Sequence, residues 1–275
     1  MTNGSSPPSQ QQPGFDTSVP QTARIWNYWL GGKDHYPIDR KVGDQIAEMF
    51  PDIVALARAD RAFLGRAVRF LAGEAGIRQF LDIGTGLPTA DNTHEVAQRM
   101  APECRIVYVD NDPLVLAHAR ALLVSTPQGA TDYIDADARE PDTILREAAQ
   151  TLDFGQPIAV MLLGILHHIG DDEQASAIVN RLVDGIPSGS YLTIAHSTNV
   201  VTGAAMDEAV RHWNQFGKPP MTLRTPEAIA RFFDGLELLE PGVVSTSRWR
   251  PDPAESPSPE TDEFCGVGRK PSAPR

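Results

Sequence analysis

Acidic residues stand at the ends of three apolar runs. The first closes as Asp82-Ile83-Gly84-Thr85-Gly86, the second as Val109-Asp110-Asn111, and a weaker third as Asp135-Ala136-Asp137-Ala138. A glycine directly after a strand lets the backbone turn sharply and come close to a ligand. In an open α/β sheet, ligands bind beyond the carboxyl ends of the strands. A carboxylate at the end of the second strand is placed to accept hydrogen bonds from two ribose hydroxyls. One after the third can accept the exocyclic amine of adenine. The pattern predicts a nucleoside held across neighbouring strand tips.

Two cofactor classes use such an arrangement. A dinucleotide wants G-x-G-x-x-G/A, with the turn leading straight into a helix that faces the pyrophosphate. Here the third small position holds Thr89, Pro88 precedes it, and no arginine cluster stands ready for a phosphate. S-adenosylmethionine has no phosphate, so the departure favours it over NAD. A fourth run ends Leu163-Gly164-Ile165-Leu166-His167-His168. This turn should border the transferable methyl group, with Leu163 at the cofactor and His168 as candidate general base, since an unperturbed imidazole titrates near pH 6.5. Methyl transfer from a sulfonium can also run on in-line positioning and desolvation alone. A packing role for both histidines therefore stays open, as does a non-catalytic, cofactor-binding or regulatory protein.

One further stretch is chemically dense. Residues 22–36, Thr-Ala-Arg-Ile-Trp-Asn-Tyr-Trp-Leu-Gly-Gly-Lys-Asp-His-Tyr, hold two of the four tryptophans and two of the five tyrosines. Aromatic faces can hold a sulfonium or another cation. The stretch reads as a lid, with Arg24, Tyr28 and Lys33 among the cofactor-binding candidates; the alternative is a helix capped by Gly31-Gly32 that merely packs. Metal chemistry is not expected. His167 and His168 are adjacent and cannot share a helical face, and His94, His118, His196 and His212 show no H-E-x-x-H spacing. No G-x-S-x-G elbow points to an α/β-hydrolase.

These residues need strands to carry them. Phe80–Ile83, Arg105–Asp110, Thr131–Asp135, Pro157–Leu163 and Ser190–Ala195 read as strands. Asp112 and Pro113 open a helix as N-cap and first residue, Glu173–Ile186 shows a helical apolar stripe, and Thr225-Pro226 opens another helix. Leu236–Val244 and Glu263–Gly268 read as a terminal hairpin. The alternation predicts an α/β, doubly wound, Rossmann-like sheet with an N-terminal helical extension. By segment, 1–20 is expected to be a disordered tail, 21–75 a helical lid or cap and 76–270 the S-adenosylmethionine-binding domain. Within the last, 198–224 is an insertion suited to covering a substrate and 251–262 a flexible loop.

Composition narrows the partners. The 275 residues carry a formal net charge of −12, which disfavours a nucleic-acid-wrapping surface. No run of 18 apolar residues predicts a membrane span, and residues 1–20 lack the charge and apolar core of a secretory signal. Two cysteines, Cys104 and Cys265, cannot make a disulfide framework. The expectation is a cytoplasmic protein acting on a small molecule; the composition does not select an oligomeric state.

Several motifs together resemble a known family. Ala23-Arg24-Ile25-Trp26-Asn27-Tyr28-Trp29-Leu30-Gly31-Gly32-Lys33-Asp34 is similar to the opening signature of a bacterial S-adenosyl methyltransferase family long classed as a domain of unknown function. Phe80–Thr89, Tyr108–Pro113 and Gly164–Ile169 resemble its cofactor loop, second-strand motif and fourth-strand region, so the likeness covers roughly residues 18–270. It implies a class I methyltransferase with seven strands, the last antiparallel, and S-adenosyl-L-homocysteine as product. Carried over by motif, Gly84, Thr85 and Gly86 would flank the methionine part of the cofactor. Asp110 would hold the ribose, Asn111 would lie beside the adenine, and Asp137 and Ala138 would meet its edge. The Gly84–Asp110 interval exceeds the usual spacing of about 20 residues, and the stretch from Leu87 to Arg105 must absorb the excess.

Overall fold

The computed structural model describes residues 16–122, 124–253 and 258–272. The first fifteen residues of the expected tail and the centre of the 251–262 loop lie outside the described residues. Five parallel strands run inward from one edge of the sheet: β1 (Gln79–Ile83), β2 (Arg105–Asp110), β3 (Ala130–Asp135), β4 (Ala159–Leu163) and β5 (Tyr191–Ser197). Their order is β3-β2-β1-β4-β5, so the chain reverses direction across the sheet between β1 and β4. Asp82 is in register with Tyr108 and Met161, and Asp110 with Asp135. The tips that carry the acidic residues therefore stand side by side.

Strand parity explains why these runs are apolar throughout. Leu81, Ile83, Val107, Val109, Val160, Leu162, Leu192 and Ile194 pack on one face. Phe80, Ile106, Tyr108, Ala159, Met161 and Ala195 pack on the other. Both faces are covered by helices, so neither set of side chains meets water. Each fully buried aliphatic contributes about 1.5–3 kcal/mol.

The edge differs from the seven strands expected. Leu236–Val244 is split into β6 (Glu237–Leu238) and β7 (Val244–Ser245), giving eight strands, and both pair antiparallel with β8 (Glu263–Arg269). Pro241 has no N–H to donate, and Gly242 turns the chain with φ 87°. β8 itself runs antiparallel beside β5, as the last strand of the expected fold should.

The helices are α1 (Thr22–Trp29), α2 (Pro37–Met49), α3 (Ile53–Arg69), α4 (Thr93–Met100), α5 (Pro113–Leu122), α6 (Pro141–Ala148), α7 (Asp172–Gly185), α8 (Ala204–Phe216) and α9 (Pro226–Ala230). Asp112 caps α5 by accepting the Leu114 N–H at 2.8 Å, and Asp171 caps α7 by accepting that of Gln174 at 2.8 Å. A second core lies beside the sheet. Ile25 and Trp29 of α1, Val42 and Ile46 of α2, Ile53, Leu56 and Ala57 of α3, and Met206, Ala209 and Trp213 of α8 bury one another. The expected cap and the expected insertion thus share one apolar interior.

α3 joins the two cores. Its first half enters the cap interior, and Phe63, Leu64, Ala67 and Val68 of its second half pack on the sheet. Asp39, fully buried, holds the cap's polar frame. Its carboxylate accepts the Arg24 Nε–H at 3.1 Å and the backbone N–H groups of Tyr36 at 2.8 Å and Gln21 at 3.2 Å. Arg24 also donates to the Asp16 and Val19 carbonyls, which ties residues 16–20 to the fold. A two-residue bridge joins Gln21 to Lys218: Thr22 N–H donates to the Lys218 carbonyl at 3.3 Å and Lys218 N–H to that of Pro20 at 3.2 Å. At the far end of the 251–262 loop, Asp262 is buried and accepts the Val201 and Thr202 N–H groups at 2.8 and 3.0 Å. Among the described residues no helix is long and apolar enough to cross a membrane.

Candidate functional site

The tips of β1, β2 and β4 open into a cleft with two lobes. Gly84, Asp110, Asn111, Ile165 and His168 border both, as do Gln21 and Pro219 from the cap side. The first lobe reaches inward to Asp60, Arg61, Asp82, Thr85, Gly86 and Leu163. The second reaches Ala136, Asp137, Ala138 and Arg139. The glycine turn, the β2 acid and the β3 acid are thus brought to one cavity.

The turn depends on its glycines. Gly84 has φ 78°, and a Cβ there would fall 2.7 Å from the Ile165 side chain. Gly86 has φ 66°, and its N–H donates to Asp110 Oδ2 at 2.9 Å. Asp110 Oδ1 accepts the Asp112 N–H at 2.9 Å. Burial pushes the Asp110 carboxyl above the usual range, against the pull of those backbone donors. A carboxylate offers about four lone-pair sites, so this one retains acceptor capacity toward the cleft. On the second lobe, Asp137 accepts from Asn111 Nδ2 at 3.1 Å and from Arg139 Nη1 at 3.0 Å.

Asp82 points to the face covered by α3 and α4. It accepts the Thr93 hydroxyl at 2.6 Å, and burial raises its pKa to about 6 despite Thr93 and Arg61. Asp60, on α3, is raised by burial to about 7, with Asp82 adding and Arg61 opposing. Arg61 donates through Nε and Nη2 to the Ala90 carbonyl, at 3.1 and 2.8 Å, and through Nη2 to Asn92 Oδ1 at 3.2 Å.

The histidines divide into two kinds. His196 is bonded on both ring nitrogens, Nδ1 to the Ser197 carbonyl at 2.8 Å and Nε2 to Arg224 Nη1 at 2.8 Å, and burial holds it neutral with a pKa near about 3. His167 lies 3.2 Å from Ser197 Oγ beneath the fourth-strand turn, and burial also lowers it well below the usual range. His168 differs. Its Nδ1–H donates to the Pro220 carbonyl at 2.9 Å, which leaves the lone pair on Nε2, and Nε2 is sealed from water with no partner. Burial lowers its pKa to about 4.

The expected contacts from α1 are not where the sequence reading puts them. Thr22, Ala23, Trp26, Asn27 and Leu30 form the stripe of α1 that lines the first lobe. Arg24 and Tyr28 sit half a turn away from it, as the 3.6-residue period requires. Arg24 is buried against Asp39, Tyr28 Oη donates to Asp44 Oδ1 at 2.5 Å, and Lys33 is exposed beyond the Gly31-Gly32 turn. None of the three lines the cleft. Sequence reasoning passed over Asp60 and Arg61. The available signal was a charged residue at the fourth position after Leu56 on an otherwise apolar stripe.

A family described as S-adenosyl methyltransferase matches residues 8–271. The chain belongs to that family, whose cofactor is S-adenosylmethionine. A DUF574 family protein from Streptomyces avermitilis is 44% identical, with a TM-score of 0.90 over 93% of this chain and 99% of that one. A candidate methyltransferase from Thermobifida fusca is 40% identical, with a TM-score of 0.86 over 96% of this chain and 100% of that one. The carboxy-S-adenosyl-L-methionine synthase of Citrifermentans bemidjiense is 25% identical over 162 residues, 58% of this chain and 61% of that enzyme. Membership accounts for the doubly wound sheet with its antiparallel last strand.

The residues present fit the family's cofactor. Asp110 keeps acceptor capacity for a diol, and Gly84 and Gly86 present no side chain at the cleft edge. The approach a dinucleotide would need is blocked in charge. α4, the helix after the glycine turn, has its N-terminus closed by a capping box, in which Glu95 Oε2 accepts the Asn92 N–H at 2.8 Å. An acid already occupies the end where a phosphate would bind.

Proposed function

We propose that the cleft binds S-adenosylmethionine across its two lobes and that the protein transfers the methyl group to a small molecule entering under the helical cap. The carrying observation is Asp110, a half-buried carboxylate at the tip of β2 that is itself bonded to the glycine turn. In this reading Asp110 takes the ribose hydroxyls, while Asn111, Asp137 and Ala138 border the adenine. Gly84, Thr85, Gly86 and Leu163 line the methionine end, where Arg61 and Asp82 offer opposite charges to an α-amino-acid group. When bound, the cofactor supplies an electrophilic sulfonium methyl.

The protein's own residues orient and desolvate. Trp26, Leu30 and Ala57 wall the first lobe away from bulk water. Burial keeps His168 neutral and its bond to the Pro220 carbonyl fixes the tautomer, so Nε2 accepts a hydrogen bond from a donor in the cleft. A pKa near about 4 makes it a weak base at neutral pH. It is therefore assigned to orienting a donor, and His168→Ala should lower turnover more than cofactor affinity; equal loss of both would make its role structural. Both cysteines are buried and unpaired, which suits a reducing cytoplasm.

Calorimetric titration with S-adenosylhomocysteine tests the reading. Wild-type protein should bind it, and Asp110→Ala should bind far more weakly. Undiminished binding by that variant would refute the site.

A further inference from the structure

We infer that Asp60 recognises the methyl acceptor, and that the acceptor is an amine carried on an apolar body. The inference rests on the reading of the cleft as the S-adenosylmethionine site. Asp60 lines the first lobe, yet its Oδ1 is sealed from water and has no hydrogen-bond partner. The neighbouring arginine does not supply one. Consecutive helical side chains do not face each other, and the guanidinium of Arg61 is bonded to Ala90 and Asn92. A buried carboxylate oxygen without a donor is costly, and a ligand that brings an N–H removes that cost.

Position points to the acceptor rather than the cofactor. Asp60 shares the first lobe with Asp82 of β1 and with Leu163 and Gly164 at the end of β4, and α3 also packs against β8. Asp60 therefore stands on the β4 side of the first lobe, apart from the second lobe that holds Asp137. Charge then selects the donor. Asp82 adds negative potential around Asp60 and is opposed by Arg61, whose guanidinium is held by Ala90 and Asn92; the Asp60 carboxylate itself favours a cation over a neutral or anionic group. Trp26, in the same lobe, offers a ring to such a cation.

The apolar body follows from α3. Leu56, one turn before Asp60 on the same face, lines a second cavity inside the cap, together with Ile25, Trp29, Met206 and Trp213. Thr22 and Trp26 border both this cavity and the first lobe. An ammonium at Asp60 therefore places its substituent at the mouth of an apolar chamber.

Binding of 3-phenylpropylamine, 3-phenylpropan-1-ol and 3-phenylpropionate to the full chain, saturated with S-adenosylhomocysteine, tests the inference by calorimetry. The amine should bind about 10- to 100-fold more tightly than the alcohol, the range of a charge-assisted hydrogen bond, and the acid more weakly still. Shortening the amine to phenethylamine should cost up to about fourfold. Asp60→Asn, which preserves shape, should abolish the preference for the amine without weakening S-adenosylhomocysteine. Equal binding of the three wild-type probes, or an amine preference that survives in Asp60→Asn, overturns the inference. So does a loss of S-adenosylhomocysteine affinity in Asp60→Asn, which would assign Asp60 to the cofactor. Failure of wild-type protein to bind S-adenosylhomocysteine would instead sink the reading of the cleft itself.

Discussion

The two walls of the cleft are built by different means. The strand-tip wall is mostly backbone: positive-φ glycines, main-chain N–H groups and carboxylates whose places follow from strand register. The cap wall is made of side chains on α1 and α3, set at their angles by one buried ion pair and a shared apolar core. The first kind of wall tolerates little change, because backbone cannot be swapped. The second can be re-lined residue by residue. One cleft can thus keep its cofactor geometry fixed while its acceptor face varies.

The strongest way to break this contrast is to remove the cap's frame. Asp39→Ala leaves Arg24 buried without its partner and should cost about 3–5 kcal/mol, read by urea denaturation. Because α3 belongs to both cores, the loss should occur in a single transition. Two separate transitions would show that cap and sheet are independent units. Next, Asp110→Ala should weaken S-adenosylhomocysteine binding about 100-fold, the loss of two charge-assisted hydrogen bonds of about 1.5 kcal/mol each.

A smaller effect is expected on the backbone side. Gly84→Ala places a Cβ against Ile165 in left-handed backbone and should destabilise by roughly 1–2 kcal/mol. Adding Ile165→Ala should recover part of that by relieving the contact but not the strain. Full recovery would mean that sterics alone demand the glycine.

The pH dependence is the finest test. The folded protein holds the protons of Asp60 and Asp82, raised to about 7 and about 6, more tightly than the unfolded chain does. Their contribution is complete below about pH 4 and is lost as pH rises through 6 to 7. His168, lowered to about 4, acts in the opposite sense: its contribution is complete above about pH 6.5 and is lost as pH falls toward 4. The melting temperature of Asp60→Asn relative to wild type should therefore rise between pH 4 and 7. A flat difference would remove Asp60 from the titrating set.

The same division governs what the sequence could reveal. β1, β2, β4 and β5 were legible because buried parallel strands must be apolar on both faces, and their terminal acids stand out against that background. β3, β8 and the caps at Asp112 and Thr225 were legible on local grounds. The helices of the cap were expected, but their shared core with α8 was not legible, because it joins residues 25–57 to residues 206–213 and no local pattern records that pairing. Arg24 and Tyr28 drew notice by chemical type, but helical phase turns them away from the cleft and turns Trp26 and Asn27 toward it. Asp60 was hidden in a stripe that reads as packing. The break at Glu240–Val243 was recorded in the sequence by Pro241-Gly242, a turn dipeptide inside a run otherwise read as one strand.

The bridge between Gln21 and Lys218 adds a kinetic consequence. Two backbone hydrogen bonds join segments nearly two hundred positions apart, at an edge where both lobes of the cleft meet the cap. Any motion that widens this edge must part both bonds. The amide protons of Thr22 and Lys218 are therefore protected by this bridge, and their exchange with solvent reports how often it parts.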